Sequence, residues 1–135
     1  MARQSNIVER STAYEYDHMG IPTKEPRENE VYVPKFKMYS SGYETSAFRV
    51  QWHRFDDDCE LHPLIQTVAH VAFRVPDMAE AIKGKKVIME PYYPLPGYQV
   101  AFIEDGGAPI EFIETKLTEE EIVSLANEIS ISEKG

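Results

Sequence analysis

A chain of 135 residues holds one hydrophobic core and is too short for two independent domains. Asp and Glu outnumber Lys and Arg by 23 to 14, giving a net charge of −9, so no basic stripe is offered to nucleic-acid phosphates. A single cysteine, Cys59, excludes an internal disulfide. No apolar run approaches the roughly 18 residues of a membrane span, and MARQSNIVERS lacks the apolar stretch of a signal peptide, so a cytoplasmic protein is expected.

In chain order, residues 1–12 are polar and read as a loose arm. Tyr14 to Ile21 alternates and predicts a strand ended by Pro22, and the charged stretch TKEPRENE is a loop or a stunted helix. Val31 to Tyr39 is mostly extended, Ser40 to Gly42 is a turn, and Ala47 to Phe55 predicts a strand. Asp56 to Gln66 forms a connector in which Pro63 discourages regular structure. Thr67 to Val75 is a further strand, after which Pro76 and Asp77 open a short helix that Gly84 stops. Strands follow at Lys86 to Pro91 and Tyr98 to Glu104, and Asp105-Gly106-Gly107 turns the chain into the last strand, Ile110 to Thr115. In the tail, Thr118 and Glu121 have the spacing of a capping box, and Ile122, Leu125, Ala126 and Ile129 form one apolar stripe. This helix, over 117–130, is expected on the outside of the sheet or across a dimer partner.

The segment over 67–115 therefore reads β-α-β-β-β, and 13–58 reads as a worn copy of the same unit. Side chains alternate between the faces of a strand, so the core-facing set fixes the opposite set. Val71, Phe73 and Val75 form an apolar layer with Ile110 and Phe112, which leaves His70, Ala72, Arg74 and Glu111 on the other face. With Phe48, Val50 and Trp52 packed, Arg49, Gln51 and His53 turn away from the core. Met19 and Ile21 pack, leaving Tyr16 and His18 opposite. One concave face thus collects His18, Gln51, His70 and Glu111, with Arg49, His53 and Arg74 nearby.

Other signals are weaker. Asp56, Asp57 and Asp58 lack the glycine and distal glutamate of a calcium loop. Cys59 has no histidine base at a defined spacing, and Gly106-Gly107 is not followed by the helix that a phosphate loop needs.

The stretches HVAFRVPDM and VAFIEDGGAPIEFIE, with DHMGIP and FRVQWHRF, resemble the vicinal oxygen chelate superfamily, which includes glyoxalase I, extradiol dioxygenases and bleomycin-resistance proteins. The resemblance spans Tyr14 to Thr115. It implies an α+β fold in which paired βαβββ modules form a curved eight-stranded mixed sheet, a glyoxalase-like cup. Here the first module's helix is degenerate and a C-terminal helix is appended. It also implies a divalent metal (Zn, Ni, Co, Mn or Fe(II)) held by His18, Gln51, His70 and Glu111, a set most like that of methylmalonyl-CoA epimerases.

Two imidazoles, a carboxylate and an amide oxygen leave room on such an ion for substrate, which suits stabilisation of an enediolate. Glu111 would act as base as well as ligand, and His53 is a second candidate for acid-base work. Arg49 and Arg74 could clamp a substrate carboxylate or phosphate, and Tyr16 shares their face. The expected activity is that of a metal-dependent lyase, isomerase or epimerase acting on a small oxygenated acid or thioester. The alternatives are an Fe(II) extradiol-type dioxygenase and a metal-free small-molecule binding or resistance protein. A homodimer is expected, since the edge of such a sheet needs cover.

Overall fold

The structure, a computed structural model, describes residues 13–134, with side chains to residue 129, so the expected N-terminal arm lies outside the described residues. The strands are β1 (Glu15–Pro22), β2 (Val31–Val33), β3 (Met38–Ser41), β4 (Val50–Phe55), β5 (His70–Arg74), β6 (Lys86–Leu95), β7 (Tyr98–Asp105) and β8 (Ala108–Thr115). The helices are α1 (Pro63–Thr67), α2 (Met78–Ile82) and α3 (Glu119–Lys134). All eight strands join one curled mixed sheet in the order β2-β3-β4-β1-β5-β8-β7-β6. β1 runs parallel to β4 and antiparallel to β5, and β5 runs parallel to β8. The first and last strands of both halves therefore lie side by side at the centre of the cup.

Each face of the sheet carries its own apolar layer. On the outer face Val75, Ala101, Ile103 and Phe112 bury against Met78 and Ala81 of α2. On the concave face Ala72, Val100 and Ile113 pack with Met89 and Tyr98. The alternation expected for the strand at 70 and for the last strand is thus present.

α2 begins where the Asp77 side chain accepts from Glu80 N, 3.3 Å away, and Glu114 accepts from Met78 N at 2.6 Å. α3 begins with the capping box read from sequence: Thr118 N donates to Glu121 Oε1 at 2.9 Å, and Glu121 N donates to Thr118 Oγ1 at 3.2 Å.

Several boundaries differ from expectation. Pro63 does not prevent regular structure; it occupies the first turn of α1, where no N–H is needed, and His62 Nδ1 accepts from Leu64 N at 3.1 Å. β4 starts at Val50 and not at Ala47. Ser46 Oγ accepts from Val50 N at 3.0 Å, and Arg49 takes a left-handed φ of 58°, so residues 46–49 make a turn. Ser40 and Ser41 belong to β3, which moves the turn to Gly42. That glycine has φ 93°, and a Cβ there would lie 2.6 Å from the Val50 carbonyl oxygen. β6 runs on through Pro91 and Pro94 to Leu95, which an edge strand tolerates. Residues 23–30 form a loop, leaving the first half without an α-helix between β1 and β4.

α3 does not lie on the outside of the sheet. It touches β2 and β6, the two edge strands, and so spans the open side of the cup. Among the described residues no helix is long and apolar enough to cross a membrane.

Candidate metal centre

Four neighbouring strands at the centre of the sheet each send a polar side chain into the cup. His18 (β1), His53 (β4), His70 (β5) and Glu111 (β8) are all buried. The three histidines each bring a ring nitrogen within 4.8 Å of the others. Glu111 Oε1 lies 3.2 Å from His18 Nε2 and 3.1 Å from His70 Nε2.

Strand register explains how they meet. His18 pairs with Ala72, and Ala72 pairs with Glu111, so the two reactive side chains flank a residue with only a methyl group. Gly20 pairs with both Gln51 and His70. A Cβ on Gly20 would stand 2.1 Å from His70 Cε1, so the imidazole occupies the space a side chain would fill.

Outer contacts hold these rings in place. Asp17 Oδ2 is 2.7 Å from His18 Nδ1, and Asp17 Oδ1 accepts from Arg74 Nε at 2.9 Å. Arg49 donates from Nε to the Asp17 carbonyl at 2.6 Å and pairs through Nη2 with Glu119 at the start of α3. Ser40 Oγ lies 2.9 Å from His53 Nδ1. His53 Nε2 is buried with no hydrogen-bond partner among the described residues.

These surroundings set the charges. Burial disfavours an ionised His18, but hydrogen bonds to Asp17 and Glu111 outweigh it and raise its pKa to about 9. Burial likewise disfavours the Glu111 carboxylate, yet His18 and His70 overcome it and hold the group well below the usual carboxylate range. His53 is pushed down to about 3, first by burial and then by the charges of His70 and His18, so its ring is neutral.

Three buried histidines of this kind could bind a metal. Two imidazole nitrogens share one carboxylate oxygen while a third nitrogen is buried without a partner, an arrangement that a divalent transition ion at their centre would satisfy. The Asp17–His18 and Ser40–His53 contacts are the kind that orient ligand imidazoles.

Of the residues singled out from sequence, the structure brings His18, Gln51, His53, His70 and Glu111 to one cavity. Arg49, Arg74 and Tyr16 do not line it. Both arginines are engaged by Asp17. A register shift between Tyr16 and His18 reverses the strand's parity, so Tyr16 pairs with Phe73 on the outer face. Sequence reasoning missed Asp17, Ser40 and Gly20, and placed Ala72 on the cup face without giving it a role. The two small residues were the available signal, since strand interiors otherwise favour larger side chains.

The cavity above these residues measures about 140 Å³ and has walls of Phe36, Met38, Phe55, Ile65, Met89 and Phe102. It adjoins a larger chamber of about 450 Å³ bounded by Val31, Leu95, Ile122, Val123 and Ala126, among others.

The sequence matches no described protein family and no curated protein. The fold does have solved counterparts. One is a hypothetical protein from Bacillus halodurans C-125, with a TM-score of 0.59 and 19% identity, covering 79% of this chain and 98% of that one. Another is methylmalonyl-CoA epimerase from Mycobacterium tuberculosis, with a TM-score of 0.58 and 16% identity, covering 83% and 95% respectively. With the curled eight-stranded mixed sheet, these likenesses support the glyoxalase-like cup as the fold of this chain.

Proposed function

We propose that the protein is a metal-dependent enzyme of the vicinal oxygen chelate superfamily that removes a proton from carbon beside a substrate oxygen. The convergence of His18, His70 and Glu111, with the partnerless nitrogen of His53, carries this reading. His18, His70 and Glu111 would hold the ion. β4 offers Gln51 or His53 as the fourth ligand, and the free His53 nitrogen favours His53. When bound, a divalent ion supplies Lewis-acid stabilisation for negative charge on the substrate.

The remaining steps fall to the chain's own groups. Glu111, whose carboxylate reaches the centre of the cup beside His18 and His70, is the acceptor for the proton. Asp17 holds His18 Nδ1 and so aims Nε2 into the cup. The apolar walls keep water from the carbanion. Lyase, isomerase and epimerase chemistry share these steps and differ in where the proton returns.

Metal analysis of chelator-free protein tests the reading, with about one first-row ion per chain expected. His70→Ala should lose the ion while the fold remains. A chain that stays empty after exposure to Zn, Ni and Fe(II) sinks it in favour of a metal-free binding protein. An extradiol-type dioxygenase is the second reading, favoured by aromatic walls suited to a ring. Oxygen consumption with Fe(II) and catechol separates the two.

We also propose a homodimer formed through the outer face of β1. Tyr16, Met19 and Phe48 are 46%, 41% and 81% exposed there. They are neighbours, since Tyr16 Oη donates to the Phe48 carbonyl at 3.1 Å and Met19 N donates to the Arg49 carbonyl at 3.0 Å. The first half has no α-helix to cover them, and a second copy would.

A further inference from the structure

We infer that the ligand has two parts: a head of about benzene size with an apolar body and no charged group beyond the oxygens that meet the histidines, and an apolar tail lying under α3. The inference rests on the proposed metal centre and adds to it the class of molecule the cup takes.

Three observations support it. The first is size: the inner cavity is about 140 Å³. An apolar cavity of roughly 150 Å³ accommodates one benzene. The second is polarity. The polar groups of the cavity are His18, His53, His70, Glu111, Gln51 and Ser40, and the other lining residues are apolar apart from the Tyr98 hydroxyl. Among the described residues that line it, none is Lys or Arg. Arg49 and Arg74 are turned to Asp17, and Arg54, next to His53 in the chain, is held by Glu30. A carboxylate placed against Phe102 or Met89 would be desolvated with no partner, which disfavours its binding strongly.

The third observation is continuity. Val33, Ser40, Gln51, Pro94 and Tyr98 line both the inner cavity and the outer chamber, so the two meet edge to edge. The outer chamber holds about 450 Å³, too much for the head alone, and α3 closes it with Ile122, Val123, Ala126 and Ile129. Its one cation among the described lining residues is Arg27. That guanidinium lies 3.8 Å over the Trp52 ring and donates from Nε to Ser41 Oγ at 3.2 Å. Elsewhere the chamber is polar, with Glu28, Asn29, Glu44 and Asn127, so the aliphatic tail lies along the apolar strip of α3, against Ile122, Val123 and Ala126 with Val31 and Leu95, and the C-terminal helix becomes part of the binding site.

The test is calorimetric titration of the zinc-loaded protein with catechol, 4-methylcatechol, 4-butylcatechol and 3,4-dihydroxybenzoate, with zinc content measured in each sample. These probes share the two ring oxygens and differ in tail and charge. Butylcatechol should bind at least about tenfold more tightly than catechol, given the apolar area its tail buries. Dihydroxybenzoate should bind at least about tenfold more weakly than methylcatechol. In Ala126→Trp, which narrows the outer chamber beside α3, the ratio of butylcatechol to catechol affinity should fall toward one.

Equal affinities for catechol and butylcatechol, or tighter binding of the carboxylate, with zinc near one per chain, overturn the inference and leave the metal centre standing. Should Ala126→Trp fail to fold, the ligand series on the unaltered protein still decides. A protein that takes up no zinc defeats the functional reading and this inference together.

Discussion

Asp17 ties the site to its frame at the scale of single residues. It is 2% exposed, and burial alone would raise its pKa, but His18 and Arg74 outweigh that and lower it. Asp17→Asn should weaken metal affinity by about 10- to 100-fold, the usual effect of losing a group that orients a ligand imidazole, as measured by competition with a chromophoric chelator. Gly20→Ala is the sharper probe. An added methyl 2.1 Å from His70 Cε1 must displace the ring, so metal content should fall although alanine is otherwise harmless in a strand. Retained metal in Gly20→Ala would show that His70 is not a ligand.

His70 and Glu111 could be placed on one face from strand alternation alone, because each sits between apolar neighbours, and His18 followed from Met19 and Ile21 on its C-terminal side. Asp17 could not. It occupies the irregular step in β1 where alternation breaks, and nothing in YEYDHMG marks that step. Tyr16 was misplaced for the same reason.

At the scale of elements, regular strands were readable and turns were less so. β5 and β8 alternate around His70 and Glu111, β7 carries the continuous apolar run over 100–103, and the boundaries of all three lie within a few residues of expectation. The start of β4 was missed because Ser46 captures backbone N–H groups that a strand would otherwise use, and apolar content does not reveal such a turn. The capping box of α3 was legible as a local signal, whereas its docking across β2 and β6 depends on distant partners. Phe112 is the test of the β5–β8–α2 layer. At 2% exposure in the outer core, Phe112→Ala should destabilise the protein by about 3–5 kcal/mol in urea unfolding. A loss under about 1 kcal/mol would mean that this layer is not closely packed.

At the scale of the whole molecule, the site's charges should shape acid stability. Asp17 and Glu111 both have folded pKa values below their ordinary ones of 3.8 and 4.5. A depressed carboxylate stabilises the fold above its unfolded pKa, and that contribution fades as pH falls through the folded value. The metal-free protein should therefore lose stability progressively below about pH 4.5, and Asp17→Asn should flatten that fall, as followed by thermal melts across pH. His18 acts in the opposite direction. Its pKa is raised to about 9, so its contribution is complete below pH 6.5 and declines as pH rises through 9. For the dimer, Phe48→Glu should yield monomers in sedimentation with secondary structure unchanged. If the unaltered chain sediments as a monomer, the outer face of β1 has another role.

The β1–β5 seam joins the two halves of the chain, and the histidine cluster straddles it. An ion lodged there would act as a rivet, since neither half could peel away without breaking bonds to it. Amide exchange should then slow together in β4, β1, β5 and β8 when the ion is added, even though β4 and β8 lie at opposite ends of that set. Occupancy of the seam would make the two halves open as one.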